Sequence, residues 1–325
     1  MFDVVALGEL LIDMIPVTRP PGLKPVYEVN PGGAPANVLA AISRLGGSTT
    51  FIGKVGDDFF GHFLEVALKD CGIGTQGLSY TTEAKTALTF VRLDGKGDRS
   101  FIFYRDPGAD TKLENCEVNQ GLIEQATIFH FGSLSMTDEP AESATISALK
   151  YAKNKGKLIS YDPNWRPALW NRKAAEAKMA KGLRYTDILK ISDVELELLT
   201  GENDLNEGSK QLYEAGIKLI LTTLGPNGCH YRYAGGSGKL NTYDTKVVDT
   251  TGAGDAFTGG LLYRLSRLKK SIEDVSRDEL EEIIDFANAA GALCASKMGA
   301  MAAMPSLKDI EICRNTIPQL MIDQE

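Results

Sequence analysis

Several features that mark particular classes of protein are scarce in this sequence. It has only five cysteines, which are scattered and never spaced as C-x-x-C, so neither a disulfide framework nor a zinc site is expected and we predict buried, reduced thiols. No apolar run approaches the ~18 residues of a membrane-spanning helix, and no basic segment precedes an apolar one near residue 1. We therefore expect a cytoplasmic protein that does not act in a membrane.

Positive charge is also in short supply. Lysine and arginine total 35 against 43 acidic residues, which gives a formal net charge of −8. Nucleic acids and anionic membranes are therefore not expected partners, since proteins that bind them usually carry a basic face. The remaining composition, 43% hydrophobic and 24% charged, is typical of a globular protein with a large buried core. A nucleotide stays compatible with an acidic chain, because backbone N–H groups and a metal ion can hold phosphates.

Short apolar runs alternate with helical patterns along most of the chain. This alternation predicts an α/β fold with a mostly parallel sheet covered by helices on both faces. The predicted strands are 4–7, 127–131, 158–161, 188–191 and 219–223. The predicted helices are 38–45, 59–69, 141–154, 172–184, 206–215, 255–267, 277–297 and a tail from 307.

Two segments, 12–30 and 86–105, interrupt this alternation. The first contains four prolines, and the second resembles a hairpin around residues 94–97. We predict that together they form a small β-lid over one edge of the main sheet. The alternative is that they are ordinary loops with an edge hairpin.

The stretch with the clearest chemistry is D-T-T-G-A-G-D-A-F-T-G-G, residues 249–260. We predict that a strand at 246–248 enters it and a helix leaves it. Small residues at a helix start let successive backbone N–H groups approach an anion, here from Gly252, Ala253 and Gly254. Asp255 would repel a phosphate, but it fits a general base that takes the proton of an attacking hydroxyl. From the pattern alone, a glycine-rich turn whose aspartate merely caps the helix remains an alternative.

This stretch resembles the second signature of the PfkB family of carbohydrate kinases. The first signature is represented by Pro31–Val38, followed by an apolar helix that ends near Gly46 and Gly47. The resemblance implies one three-layer α/β/α ribokinase-like domain over residues 1–325, with a β-lid through which two subunits often pair. It also implies transfer of the γ-phosphate of ATP to a sugar hydroxyl, with Asp255 as general base and residues 252–255 as the anion hole.

The sugar side follows from the same resemblance. Segments such as 8–13, 51–58, 129–133 and 161–170 resemble the fructokinase branch, so D-fructose is the expected acceptor. Similar arginines occur in 2-keto-3-deoxygluconate kinases, where they suit a carboxylate, so that activity or another PfkB sugar kinase stays an alternative. The implied sugar-binding residues are Asp13, Gly32, Gly33, Asn37, Arg105 and Arg166.

Four of these residues also have a purely structural interpretation. Asn37 fits a helix terminus and Asp13 a solvated strand end. The two arginines fit ion pairs, with Asp106 or Asp162 as partner. His130 lies in an apolar strand and is expected to be a core histidine.

The nucleotide side depends on shorter motifs. The family's N-x-x-E motif corresponds to Ser192 and Glu195, and the resemblance implies that Glu195 supports Mg²⁺ through a water, with an acid at a helix N-terminus as the alternative. Asp249, with the 297–300 loop, corresponds to a monovalent-cation (K⁺) site of some members. The remaining residues implied to bind the nucleotide are Lys190, Thr223, Gly225, Gly228 and Asn288.

Two other classes of function compete with a sugar kinase. A sugar- or nucleotide-binding regulator would have no use for a carboxylate beside a phosphate, so Asp255 and Glu195 argue against it. A nicotinamide-dependent oxidoreductase would need G-x-G-x-x-G, whereas position 257 is Phe. Sugar and ATP are therefore the expected partners.

Overall fold

The computed structural model describes residues 1–17, 23–93 and 99–321. Its strands, in chain order, are β1 Phe2–Leu7, β2 Leu11–Pro16, β3 Tyr27–Gly32, β4 Thr49–Gly56, β5 Ile73–Thr81, β6 Leu88–Leu93, β7 Arg99–Tyr104, β8 Ala126–Gly132, β9 Leu158–Asp162, β10 Ile188–Ser192, β11 Leu219–Thr223, β12 Cys229–Tyr233 and β13 Gly236–Leu240. The helices are α1 Ala34–Arg44, α2 Phe59–Asp70, α3 Gln120–Glu124, α4 Ala141–Asn154, α5 Arg172–Leu183, α6 Asp193–Thr200, α7 Leu205–Glu214, α8 Ala253–Leu265, α9 Arg277–Ala295 and α10 Leu307–Thr316.

Nine strands form the main sheet in the order β13-β12-β11-β10-β9-β8-β1-β4-β5. The ladders from β11 through β1 to β5 are parallel, and only β12 and β13 add antiparallel pairs at one edge. Alternate residues of β1 point to opposite faces, so Val4 and Ala6 join one apolar cluster while Val5 and Leu7 join another. Helices α1, α8 and α9 cover the first face, and α4 and α7 cover the second. The predicted three-layer α/β/α arrangement is confirmed.

The second sheet has four strands in the order β3-β2-β6-β7. It is formed by the two segments, 12–30 and 86–105, that interrupt the strand–helix alternation, so the predicted small sheet is confirmed. The turn predicted at 94–97 lies outside the described residues. Leu11, Asp13, Thr89 and Phe103 lie on one face of this lid, since Asp13 pairs with Thr89 and Thr89 pairs with Phe103.

Most predicted strands and helices are confirmed to within a few residues. The strand predicted at 246–248 is wrong, because these residues form no ladder and the side chains of Val247 and Val248 are 62% and 46% exposed. The chain here crosses the end of α9, where the N–H groups of Val248 and Asp249 both donate to the carbonyl of Ala295. Two consecutive valines therefore mark an extended surface segment and not a sheet strand.

All five cysteines are free, as predicted, but they are not all buried. Cys229, Cys294 and Cys313 lie in the core, Cys71 is partly buried and Cys116 is exposed. Among the helices of the described residues, none has the length and apolar character needed to cross a bilayer.

Candidate active site

A cavity of about 460 Å³ lies between the lid and the carboxyl ends of the main strands. It is bordered by the ends of both signatures, by the lid face that carries Asp13, and by the loop after β9. In parallel α/β sheets, ligands bind at this end of the strands. The side chains and backbone that line the cavity include Glu9, Leu11, Asp13, Gly33, Asn37, Thr89, Phe101, Phe103, Asn164, Trp165, Arg166, Lys190, Gly252, Gly254 and Asp255.

The glycine-rich turn begins α8 on one wall of this cavity. Gly252 is the N-cap and adopts φ +78°, a left-handed conformation that glycine reaches without strain. A Cβ there would lie 2.9 Å from the Cβ of Ala300, so the site also lacks room for a side chain. The N–H of Ala253 turns back to the carbonyl of Thr250 at 3.2 Å. The other N–H groups of the first helical turn have no acceptor within the helix and can face an anion.

Asp255 lies in that first turn with its carboxylate at the cavity wall, and it is only 8% exposed. Burial raises its pKa to about 6, and the nearby charge of Asp162 acts in the same direction. The amide of Asn37 donates to Asp255 Oδ2 at 2.8 Å and, together with Lys190 and Arg166, limits that rise in the pKa. A carboxylate with a pKa near 6 is deprotonated at neutral pH and is basic enough to accept a proton.

The first signature brings Asn37 to Asp255 through close packing. Gly33 precedes α1 with φ +115°, and a Cβ on it would lie 2.4 Å from the carbonyl oxygen of Glu9. Gly32 is equally crowded, because its Cβ would lie 2.2 Å from Asp13 Oδ2. Gly33 and Asn37 line the cavity with Asp255, whereas Gly32 is not part of the described lining; the two glycines allow the lid strand to pass against the helix start.

Asp13 and Arg166, two of the residues implied to bind the sugar, both line the cavity. Burial raises the pKa of Asp13 to about 7, Arg166 lowers it, and Asp255 and Asp249 raise it further. The guanidinium of Arg166 donates to the carbonyl of Trp165 and lies 5.7 Å from the ring centre of Phe101. A cation thus stands beside the carboxylates of this cavity.

Arg105 does not reach the cavity, contrary to the expectation that it lies beside the sugar. Its guanidinium is buried and binds Asp110 at 2.6–2.7 Å, Thr137 at 2.8 Å and the carbonyl of Leu134 at 2.8 Å. These bonds use all three of its nitrogens. The ion-pair interpretation is the one observed, although its partner is Asp110 and neither Asp106 nor Asp162.

Lys190 extends from β10 to the underside of the glycine turn. A Cβ on Gly254 would lie 3.0 Å from its Nζ, which places the ammonium group directly against the turn. Nζ also donates to Asp162 Oδ2 at 3.0 Å, and both residues are buried. Burial alone would lower the pKa of Lys190, but Asp162, Glu195 and Asp255 raise it above its usual value. Lys190 is therefore a fixed positive charge beside the glycine-rich turn.

Glu195 is held by its own helix start. Its Oε2 accepts from the N–H and the hydroxyl of Ser192 in a reciprocal capping box, and its Oε1 accepts from the N–H of Trp165 at 2.6 Å. The interpretation of Glu195 as an acid at a helix N-terminus is thus observed directly. Oε2 accepts two hydrogen bonds and Oε1 only one, so Oε1 is the oxygen that keeps a lone pair for a water.

The remaining predicted nucleotide residues lie outside the cavity lining. Thr223 ends β11 beside Ser192 on β10, and Gly225 follows it in an open turn. Gly228 has φ +79° and could not carry a Cβ, which would lie 2.0 Å from the carbonyl oxygen of Leu240. Asn288, on α9, donates to the carbonyl of Asn241.

The loop of the expected K⁺ site is held together by Asp249. This buried carboxylate accepts from the N–H of Thr251 at 2.7 Å and from the N–H of Gly299 at 3.1 Å. It thereby links the entry to the glycine turn with the 297–300 loop, the two segments that the resemblance pairs. His130 is buried on β8, where burial lowers its pKa to about 3, so it is a neutral core histidine as expected.

Several cavity residues were missed by sequence reasoning. Glu9 stands in an apolar stretch, and this isolated acid among buried residues is the one signal that could have singled it out. Nothing in the sequence marks Thr89 and the two aromatic residues of β7 as site residues. They lie beside Asp13 because β2, β6 and β7 pair in the lid sheet. Asn164 adopts φ +52°, which turns the chain after β9 into the cavity.

Comparisons with known proteins identify the family of the chain. Residues 1–307 match the family described as pfkB family carbohydrate kinase. The chain is 44% identical to Fructokinase-1 of Oryza sativa subsp. japonica, over 96% of each chain, and 43% identical to Fructokinase-2 of Solanum lycopersicum, over 94% of each. A solved fructokinase from Xylella fastidiosa with bound ATP superimposes with a TM-score of 0.90 at 35% identity, covering 97% of this chain and 99% of that one. A fructokinase from Vibrio cholerae O395 with fructose, ADP and calcium ion gives 0.86 at 32% identity, covering 95% and 98%.

Proposed function

The chain belongs to the pfkB family of carbohydrate kinases, and from that premise we propose that it transfers the γ-phosphoryl group of ATP to D-fructose, giving fructose 6-phosphate and ADP. One observation carries the proposal. The Asp255 carboxylate stands at the N-terminal turn of α8, held by Asn37, in the wall of a cavity large enough for a sugar. The curated relatives and solved structures named fructokinase support the choice of acceptor.

Asp255 is the general base in this reaction. The acceptor hydroxyl attacks the γ-phosphorus and passes its proton to the Asp255 carboxylate. A new O–P bond forms as the bond from the γ-phosphorus to the β–γ bridging oxygen breaks, and ADP leaves. The raised pKa of Asp255, about 6, makes it a stronger base than an exposed aspartate while leaving it ionised at pH 7.

The turn Gly252–Gly254 and Lys190 stabilise the transferring group. Backbone N–H groups at the start of α8 and the helix dipole favour the negative charge that moves across the γ-phosphate. Lys190, whose Nζ lies against Gly254, adds a positive charge on the same side. The lid excludes water, which would otherwise compete as acceptor.

Magnesium fits the acidic groups behind this turn. Asp162 Oδ1 is buried and has no hydrogen-bond partner among the described residues, and Glu195 lies close enough to influence Lys190 electrostatically. Asp162 and Glu195 would hold the ion, Glu195 through a water because protein donors already occupy both of its oxygens. Bound Mg²⁺ neutralises charge on the β- and γ-phosphates.

The nucleotide lies along the ends of β10 and β11. We assign Thr223, Gly225 and Gly228 to the phosphate and ribose side, and Asn288 to the adenine side. Asp249 and the 297–300 loop would hold the monovalent cation, since Asp249 accepts from the N–H groups of Thr251 and Gly299 and so holds the two segments together.

The charges in the cavity favour a neutral acceptor over a sugar acid. Asp13, Asp255 and Glu9 all line it, and Arg105, expected as a second cation for a substrate carboxylate, is fully engaged with Asp110, Thr137 and Leu134. These acidic side chains would repel a substrate carboxylate such as that of 2-keto-3-deoxygluconate. In the described lining, Arg166 and Lys190 are the cations that could compensate for this repulsion. A neutral ketose avoids this cost.

An ADP-release assay tests the proposal. Fructose, 2-keto-3-deoxygluconate, ribose and adenosine are compared at matched concentrations with ATP and Mg²⁺. We expect kcat/KM for fructose to exceed each of the others by at least ~10²-fold. A preference for the sugar acid would contradict the assignment of the acceptor, and absence of turnover with every sugar would contradict kinase activity.

We further propose that two copies pair through the outer face of the lid, and that the enzyme works in the cytoplasm. Tyr27, Phe90 and Tyr104 form a row of edge-to-face aromatic contacts there, with Tyr104 64% exposed and Val29 and Ile102 beside them. Large exposed apolar patches mark association surfaces. Sedimentation should show a dimer that Tyr104→Lys converts to a folded monomer; a monomeric wild type would contradict the pairing.

A further inference from the structure

Glu9 is a buried acid for which the proposed reaction has no role so far. It lies between β1 and β2, where the chain passes from the main sheet to the lid, and is 3% exposed. Glu9 is one of the residues that line the same cavity as Asp13 and Asp255. A buried carboxylate is costly unless its oxygens find partners, so its presence at this position calls for a specific interaction.

One of its oxygens has a structural task. Oε1 accepts from the N–H of Ala34 at 2.9 Å, at the first residue of α1. The N-cap itself is Gly33, which has no side chain to offer, so Glu9 supplies the capping acceptor from another segment. This task uses Oε1 alone.

The other oxygen, Oε2, is buried and has no partner among the described residues. The nearby cation does not supply one, since the guanidinium of Arg105 donates to Asp110, Thr137 and Leu134. The comparable acid Asp58, which caps α2, uses both oxygens: Oδ1 accepts from Gly61 and from the Thr86 hydroxyl, and Oδ2 accepts from the Thr86 N–H. Capping alone therefore does not require an unpartnered oxygen beside a cavity.

We propose that Oε2 of Glu9 binds a hydroxyl of the acceptor sugar, which makes Glu9 a specificity-determining residue of this enzyme. The inference rests on the proposed sugar kinase activity and adds a residue to it. A hydroxyl is the matching group because it can donate to a carboxylate or accept from a protonated carboxyl. An anionic group would be repelled by Glu9, Asp13 and Asp255 together.

The electrostatics of the side chain agree with this assignment. Burial raises the pKa of Glu9 to about 7, while the backbone N–H groups of Glu9 itself and of Ala34 and the charge of Arg105 lower it. Both protonation states are thus accessible near neutral pH, and a hydroxyl satisfies Oε2 in either one. The same contact places the sugar against the loop that leads into the lid.

The test is a cycle between Glu9→Gln and acceptors that each lack one hydroxyl, namely the 1-, 3- and 4-deoxy analogues of fructose. Glutamine keeps an oxygen for the Ala34 N–H but turns the second position into an N–H₂ donor. For the wild type, we expect loss of the hydroxyl bound by Glu9 to lower kcat/KM by ~10- to 100-fold. In Glu9→Gln, fructose itself should lose a similar factor, and removal of that one hydroxyl should cost less than ~3-fold more.

Asp58→Asn is the matched control, since Asp58 caps a helix outside the described cavity lining. It should lower the melting temperature and leave the ranking of the deoxy analogues unchanged. Melting curves check that Glu9→Gln is folded, and Glu9→Asp, which withdraws the carboxylate by one methylene, is a second variant for the same cycle. Equal losses for fructose and all three analogues in both variants would overturn the inference and leave Glu9 as a capping residue only. Failure of the proposed function would appear separately, as no turnover of fructose by the wild type; the cycle is then run with deoxy forms of whichever sugar is turned over.

Discussion

The cavity has two ends of different construction. We propose that the start of α8 binds the phosphate, which makes it the anion end, and that the wall with Asp13 and Glu9 binds the sugar, which makes it the acceptor end. At the anion end, the proposed binding groups are backbone N–H groups. Gly252, Ala253 and Gly254 lie at a helix start where a side chain on Gly252 would not fit. At the acceptor end, the walls carry carboxylates: Glu9 is buried and Asp13 is half-buried, and desolvation raises the pKa of both to about 7. A backbone site is specified by a short run of residues, whereas the acidic wall depends on segments far apart in the chain. Substitutions should therefore affect the two ends in different ways.

The largest effect is expected where the two ends meet, at Asp255. Asp255→Asn removes the proton acceptor but keeps the size of the side chain, so we expect kcat to fall by ~10²-fold or more. Affinity for ATP, measured by calorimetry, should stay within a few-fold of the wild type because the N–H groups of the turn are unchanged. Near-normal turnover would show that Asp255 is not the general base, and the proposed division of the cavity into an anion end and an acceptor end would then lack support.

A smaller effect is expected from Gly252→Ala at the anion end. The new methyl group would lie 2.9 Å from the Cβ of Ala300 and would hold a left-handed conformation, so the turn should shift. We expect kcat/KM for ATP to fall ~10-fold or more. Gly201→Ala is the matched control, since Gly201 has φ +76° with no neighbour within 4 Å. That variant should lose about 1 kcal/mol of stability and no activity; equal kinetic losses in both would show that strain alone explains the effect.

The two arginines sharpen the comparison at the acceptor end. Arg166 borders the cavity and Arg105 lies behind it. Arg166→Lys should raise KM for fructose by ~3- to 10-fold with little change in melting temperature. Arg105→Lys should instead cost on the order of 2–4 kcal/mol of unfolding free energy, because it breaks the buried contacts to Asp110 and Thr137. A KM effect confined to Arg105→Lys would reverse our assignment of the two side chains.

The differences between the two ends explain which features of the fold and site could be predicted from the sequence. The turn at 252–255 and the alternating strands follow from local pattern, because glycine geometry and apolar periodicity act over a few residues. The position of Arg105 could not be foreseen, since its partners Thr137 and Leu134 come from another loop. The strand predicted at 246–248 failed for a related reason: β-branched residues fit any extended chain, and the ladder needs a neighbouring strand that is not there.

The smallest effect concerns the pH dependence. Asp255 must be deprotonated to accept a proton, so kcat should fall as the pH drops through about 6. The amide of Asn37 donates to Asp255 and lowers its pKa, so Asn37→Leu should move this acid limb to higher pH by ~0.5–1 unit. Asp13 and Glu9 titrate in the same cavity and also affect the pH profile of kcat. The measured quantity is therefore the difference in the acid-limb pKa between the variant and the wild type, both at saturating sugar. If the acid limb of Asn37→Leu stayed at the wild-type pH, Asn37 would not be what lowers the pKa of the catalytic base.

We propose that the first turn of α8 carries both the proton acceptor, Asp255, and the backbone N–H groups that bind the terminal phosphate. The most direct measurement is a crystal structure with fructose and a non-hydrolysable ATP analogue bound together. We predict that one sugar hydroxyl lies ~2.6–3.2 Å from the Asp255 carboxylate, with the terminal phosphate facing the N–H groups of Gly252, Gly254 and Asp255. A terminal phosphate bound away from that turn, or a sugar with no hydroxyl near Asp255, would contradict the account.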